Sequence, residues 1–159
     1  KSNFRLSTTF TPGEETRDNC NVAFTTVGDA VYALTETPFL TRIDIDTLNR
    51  EERVNICEHL KVSLHTYTAH CHSDSDGNIL NIGSQFGPTS NYIFAKTTNP
   101  LHVEGAASTH GLEQTELLGM IPATDGLAPT YYHSFGVTEN YFVLFETPER
   151  ISVPKMVEK

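Results

Sequence analysis

NVAFTTVGDAVYALTE, residues 21–36, holds two apolar, β-prone runs joined by Gly28-Asp29. A two-residue Gly-Asp link between such runs is a hairpin signal. Thr37-Pro38 stops the second run, and FLTRIDI (39–45) then alternates apolar and polar residues as a half-buried strand does. DTLNRE turns the chain, and RVNI (53–56) reads as a further short strand. The texture returns downstream. HTYTAHCH (65–72) reads as extended, SDSDGN as a turn, ILNIGS (79–84) as the returning strand and NYIFAKT (91–97) as the next. TYYHSFGV (130–137), the turn TEN and YFVLFET (141–147) predict one more hairpin. Residues 98–113, TNPLHVEGAASTHGLE, have no clear period and read as a surface loop, while EQTELLGMI (113–121) fits a short helix or a strand. Short strands at this spacing, with no long amphipathic helix, indicate an all-β sandwich, barrel or propeller.

One repeat bears on the choice. ALTETPF (33–39) and VLFETPE (143–149) each end the second strand of a hairpin in Glu-Thr-Pro. Propellers reuse such strand–turn units in blades of about 40–50 residues. On that period 159 residues make too few blades to close comfortably, so the chain fits either a small complete β domain or a piece of a larger propeller.

Composition excludes several classes. With 11 Lys and Arg against 20 Asp and Glu, the net charge is −9, and no basic cluster offers itself to phosphates, which argues against nucleic acid as a partner. No stretch reaches the roughly 18 apolar residues of a membrane span. The opening KSNFRLSTTF (1–10) lacks the apolar core of a signal peptide and begins at Lys1, so a native start upstream is expected. Cys20, Cys57 and Cys71 are odd in number and widely spaced, which fits a reducing cytoplasmic setting better than a disulfide framework or a zinc knuckle. GxSxG, Walker A, GxGxxG and HExxH are all absent, leaving serine hydrolase, P-loop and Rossmann functions without support.

Chemistry can reside in few places. In TAHCHSDSDG (68–77), His70 and His72 would share a face of a strand and could reach one metal, although the commoner meaning of a bare HxH is two polar histidines beside a turn. Cys71 would face the core. His133, flanked by aromatics in TYYHSFG, reads locally as a satisfied core histidine, since burying a bare charge is costly. Glu36 ends an apolar strand; it is either solvated or a carboxylate that accepts the free N–H of a ligating histidine. DSDG lacks the spacing and the distal Glu of a calcium loop, and reads as a turn. His59, His65, His102 and His110 suggest no role.

Together, TAHCHSDSDGNILNIG, ALTETPFLTRIDIDTL and YYHSFGVTENYFVLFETP resemble the carotenoid cleavage oxygenases, in particular the animal branch of β-carotene oxygenases, carotenoid isomerooxygenases and retinoid isomerase. The likeness runs from about residue 15 to residue 150, with three segments in the right order. It implies a seven-bladed β-propeller whose axis carries a non-haem Fe(II) on four histidines, three of them buttressed by glutamates. By motif, His70 and His133 are implied as two of the iron ligands and Glu36 as a buttressing glutamate, paired with His133; His72 is not implied as a ligand. Tyr131, two residues before His133, is the candidate for the wall of a substrate tunnel. Cys71 departs from the Pro that usually separates the two histidines, a change expected to affect stiffness more than chemistry.

The resemblance also implies what is missing. Two iron ligands and two glutamates have no counterpart here, so residues 1–159 are expected to be a single incomplete domain, an internal segment of roughly two to three blades. The implied activity of the parent is cleavage of a carotenoid double bond by O2 to give apocarotenoid aldehydes such as retinal. Retinoid isomerisation in the same family, or a non-catalytic β-propeller binding module, are the alternatives, and metal dependence separates the last from the others. The implied partners are a carotenoid or retinoid and O2, in a cytoplasmic protein with peripheral membrane contact left open. With two ligands of four, the isolated chain is expected to be inactive.

Overall fold

The computed structural model of the protein describes residues 20–157; the opening segment read above for a signal peptide lies outside them. Strands β1 (Ala23–Val27) and β2 (Ala30–Leu34) form the hairpin expected from Gly28-Asp29, with Val27 paired to Ala30 across the link. Gly28 sits at φ +60°, a left-handed backbone that glycine adopts without penalty. Strands β3 (Phe39–Ile43) and β4 (Arg50–Asn55) complete a four-stranded antiparallel meander in the order β1-β2-β3-β4. FLTRIDI therefore stops two residues early. Asp44 ends it by turning its carboxylate onto the N–H groups of Asp46 and Thr47, at 2.9 and 2.8 Å. The single-turn helix α1 (Cys57–Leu60) follows and pins buried Leu60 to the core.

The second sheet contains β5 (Thr66–Tyr67), β6 (His72–Ser73), β7 (Ile79–Gln85), β8 (Asn91–Thr97) and β9 (Thr115–Pro122). EQTELLGMI thus resolves as a strand. HTYTAHCH is not one continuous strand: β5 and β6 are two halves of an interrupted edge strand, both paired antiparallel to β7. The register gives the reason. Tyr67 lies opposite Gly83 and His72 opposite Leu80, so residues 68–71 face only Asn81 and Ile82. The two surplus residues cannot join the ladder and bulge out of it. SDSDGN is the expected turn: Asp74 Oδ1 accepts the N–H groups of Asp76 and Asn78 at 3.0 and 2.9 Å, and Gly77 takes φ +75°. The outer strand β9 is an edge, and Leu117, Leu118, Met120 and Ile121 are exposed along it.

The hairpin β10 (Gly136–Val137) and β11 (Phe142–Val143) is much shorter than TYYHSFGV and YFVLFET suggest. Two carbonyls of the first segment are taken by side chains instead of a neighbouring strand. The Thr68 hydroxyl donates to His133 C=O, and His72 Nε2 lies 2.8 Å from Phe135 C=O.

Two apolar clusters join these units. Val27, Tyr32, Leu34 and Leu40 of the first sheet pack with Tyr67, Ala69, Ile79, Ile93 and Ala95 of the second. Ile82 and Tyr92 of the second sheet pack with Ala123, Tyr132 and Phe135, which seats the last hairpin. Full burial of each large apolar side chain contributes about 1.5–3 kcal/mol. Tyr92 adds a polar staple: its hydroxyl accepts the Thr130 N–H at 2.9 Å and donates to Glu146 Oε1 at 2.8 Å. The chain ends, within the described residues, in the short helix α2 (Val153–Val157).

Residues 98–113 are more than a surface loop. They begin with a 3-10 turn (Pro100–His102) capped by Asn99, and then fold back over the first hairpin. Thr109 C=O accepts the Asp29 N–H at 3.2 Å, and the Tyr32 hydroxyl donates to His110 C=O at 2.6 Å. A methyl at Gly28 would stand 1.7 Å from Thr109 O. Gly28→Ala is therefore expected to lower stability by about 1–3 kcal/mol, through left-handed strain and loss of this contact. Urea unfolding monitored by circular dichroism would show a lower midpoint with an unchanged slope.

Candidate metal centre

Each part of the chain contributes one side chain to a common point. Glu36 follows β2 of the first sheet, His70 projects from the bulge between β5 and β6, and His133 precedes β10. One ligand-type atom from each lies within 4.8 Å of the others. The His70 and His133 rings meet edge to face, with centroids 4.2 Å apart.

His133 is not the core histidine that its aromatic neighbours suggest. Its side chain is 54% exposed, because Tyr132 and Phe135 take the buried positions while Tyr131 and His133 face outward. Nδ1 of His133 stands 2.9 Å from Oε1 of Glu36, whose side chain is 26% exposed. That oxygen has no other hydrogen-bond partner. Burial pushes the Glu36 carboxyl up from its ordinary value; the His133 ring, by charge and by hydrogen bond, and the Ala69 N–H pull it part of the way back. With Nδ1 of His133 engaged by the carboxylate, Nε2 of that ring is left to face a ligand.

His70 presents a different signature. Its Nε2 is buried and has no hydrogen-bond partner. Such an orphan costs about 1–3 kcal/mol unless something satisfies it. An imidazole nitrogen beside a second imidazole and a carboxylate is a donor set that suits a divalent transition metal, Fe(II) included. The residues present therefore fit a metal, with His70 and His133 to hold it and Glu36 to orient the His133 ring.

His72 is turned away. A carbonyl only accepts, so Nε2 of His72 carries the proton that it gives to Phe135 C=O, and the ring stacks edge-on against Phe135 at 4.8 Å. It braces the segment that bears His133. Cys71 packs against the first apolar cluster, where burial raises its thiol. Tyr131 is anchored by its N–H to Glu149 C=O at 3.0 Å, and burial, then the Glu36 carboxylate, raise its phenol. The repeated Glu-Thr-Pro diverges in use. Glu36 meets His133, whereas Glu146 is satisfied by Tyr92 and by the N–H and hydroxyl of Thr124. His65 accepts the Phe86 N–H at 2.9 Å and stacks on that ring, far from the site in role. Sequence reading missed Thr68, although it stands inside the TAHCH segment; a buried threonine carries no pattern of its own.

An all-β chain thus gathers two histidines and a glutamate, from separate parts of the fold, into a group that could hold a metal ion. Its relatives place it in a family. The model of the retinal pigment epithelial membrane protein family matches residues 4–159. The β,β-carotene 15,15'-dioxygenases of rat and human are 36% and 37% identical over 141 and 142 residues, covering 87% of this chain and 25% of theirs. The mitochondrial carotenoid-cleaving dioxygenase of Macaca fascicularis is 34% identical over 139 residues, 87% of this chain and 24% of that protein. The crystal structure of a lignostilbene dioxygenase from Pseudomonas brassicacearum superposes with a TM-score of 0.60 at 20% identity, covering 93% of this chain and 28% of that one, and so shares its fold. The chain belongs to the retinal pigment epithelial membrane protein family, the carotenoid cleavage oxygenases. It spans about a quarter of the length of the curated relatives it matches.

Proposed function

We propose that this chain is part of a non-haem Fe(II) oxygenase that cleaves a carotenoid double bond with O2 to give apocarotenoid aldehydes. The observation that carries the reading is the convergence of Glu36, His70 and His133, with a buried Nε2 on His70 that lacks a partner. Kinship with proteins named as carotenoid dioxygenases supports the substrate class. When bound, Fe(II) would supply the activation of O2 toward a conjugated double bond. The residues of the chain would do the rest: His70 and His133 supply neutral imidazole nitrogens, Glu36 fixes the tautomer and aim of His133, and Tyr131 lines the approach of an apolar polyene.

Two successive antiparallel sheets followed by a hairpin support placing residues 1–159 as two to three blades of a seven-bladed β-propeller, with two further histidine ligands contributed from outside them. We place the protein in the cytoplasm, with peripheral membrane contact left open; separately, among the described residues no helix is long and apolar enough to cross a membrane. The test is iron content and product chromatography after incubation with β-carotene or a retinyl ester, on this chain and on the full-length protein. The expected result is one iron and aldehyde products in the full-length protein only. Stoichiometric iron in the 159-residue chain alone would overturn the segment reading, and a full-length protein free of iron would overturn the oxygenase reading. Isomerised retinoid without aldehydes would redirect it to the isomerase branch.

A further inference from the structure

The two histidines are joined by a single atom that belongs to neither. Thr68 is 1% exposed and sits at the start of the bulge. Its hydroxyl accepts the His70 N–H at 3.1 Å and donates to His133 C=O, across 65 positions of sequence. A threonine hydroxyl offers one proton and two lone pairs, so the proton and one lone pair are committed here. Its own backbone is fixed as well. The Thr68 N–H donates to Ile82 C=O at 3.0 Å, and Thr68 C=O accepts from Asn81 Nδ2 at 2.9 Å. Asn81 is 0% exposed and folds its Oδ1 onto the Ile82 N–H at 2.9 Å.

We infer that Thr68 is a positioning residue of the metal centre: with Asn81 behind it, its hydroxyl sets the separation of the His70 and His133 imidazoles. This rests on the metal reading above. Three points favour it over a merely buried hydroxyl. Both of its partners are the backbones of the candidate ligands. The β-branched side chain has few χ1 choices, so the hydroxyl direction is stiff. And beyond the Thr68 N–H bond to Ile82 the edge strand does not pair with β7 again until His72, which leaves this hydroxyl as a fixed tie across the gap. Thr97, whose buried hydroxyl bonds that of Thr115 at 2.8 Å on the β8–β9 pair, supplies the comparison for hydroxyl loss alone.

The experiment uses the full-length protein, stripped of metal. Fe(II) affinity is measured by chelator competition, site geometry by the visible absorption of the Co(II) form, and stability by thermal unfolding of the apo form. Thr68→Val keeps the shape and removes both bonds; it is expected to weaken Fe(II) binding about 10-fold and to shift the Co(II) bands. Thr68→Ser restores both, and Thr97→Val lowers stability without moving affinity. Should the valine variant not fold, Thr68→Ala carries the same comparison. Wild-type affinity and an unshifted Co(II) spectrum in the Thr68 variants, or an equal loss in Thr97→Val, would overturn the inference. His70→Ala separates the two readings. If it binds metal normally, the metal centre itself is wrong; if it loses metal while Thr68→Val does not, only the positioning role fails.

Discussion

His70→Ala or His133→Ala, made in the full-length protein, abolishes iron binding and turnover. The two variants differ in what they do to the apo fold, and that difference makes the result diagnostic. His70 Nε2 is buried without a partner, so removing the ring relieves an unsatisfied group as well as deleting packing. A structural histidine would be costly to lose; this one is expected to change the melting temperature little. His133 is the contact of Glu36 Oε1, and its removal leaves that half-buried carboxylate with the Ala69 N–H alone. The apo form of His133→Ala should therefore be the less stable of the two. Iron retained with near-normal product formation in either variant would refute their assignment as ligands.

Glu36→Gln is expected to weaken iron binding by roughly 10–100-fold, the usual effect of removing a carboxylate that supports a ligating imidazole. Glutamine keeps the size of the side chain, and its amide oxygen can still accept from His133 Nδ1, so the substitution removes charge while sparing geometry. Glu36→Ala removes both and should fall at the severe end. The carboxylate is placed for this by two contacts, His133 Nδ1 at 2.9 Å and the Ala69 N–H next to His70. Dissociation constants measured by chelator competition decide the matter, and an unchanged affinity in Glu36→Gln would remove Glu36 from the centre.

What could be read from the residues follows the range of the forces involved. The Gly28-Asp29 hairpin, the Asp74–Asn78 turn and the strands around 79–85 and 91–97 depend on neighbours in sequence, and they stand where turn chemistry and alternation place them. TYYHSFGV did not become the long strand its composition favours. Its His133 and Phe135 carbonyls are claimed by Thr68 and His72, more than sixty positions away, and no local pattern encodes that. The interruption at 68–71 was hidden for the same reason, since it exists only in the register against β7. For the site, local reading favoured ordinary histidines at 70 and 133. Resemblance across three segments singled out the residues that the fold brings together, while the hydroxyl between them went unnoticed.

Glu36 follows β2 of the first sheet, His70 lies between β5 and β6 of the second and His133 precedes β10, and on the metal reading proposed above that dispersal sets the order of events in maturation. An unfolded chain, or one with a single sheet formed, has no pair of these groups within reach of one ion. Loading must follow docking of the sheets, so occupancy reports completed tertiary assembly in a way that strand content does not. Iron supplied during refolding should neither speed the early steps nor rescue a variant whose sheets form but fail to dock.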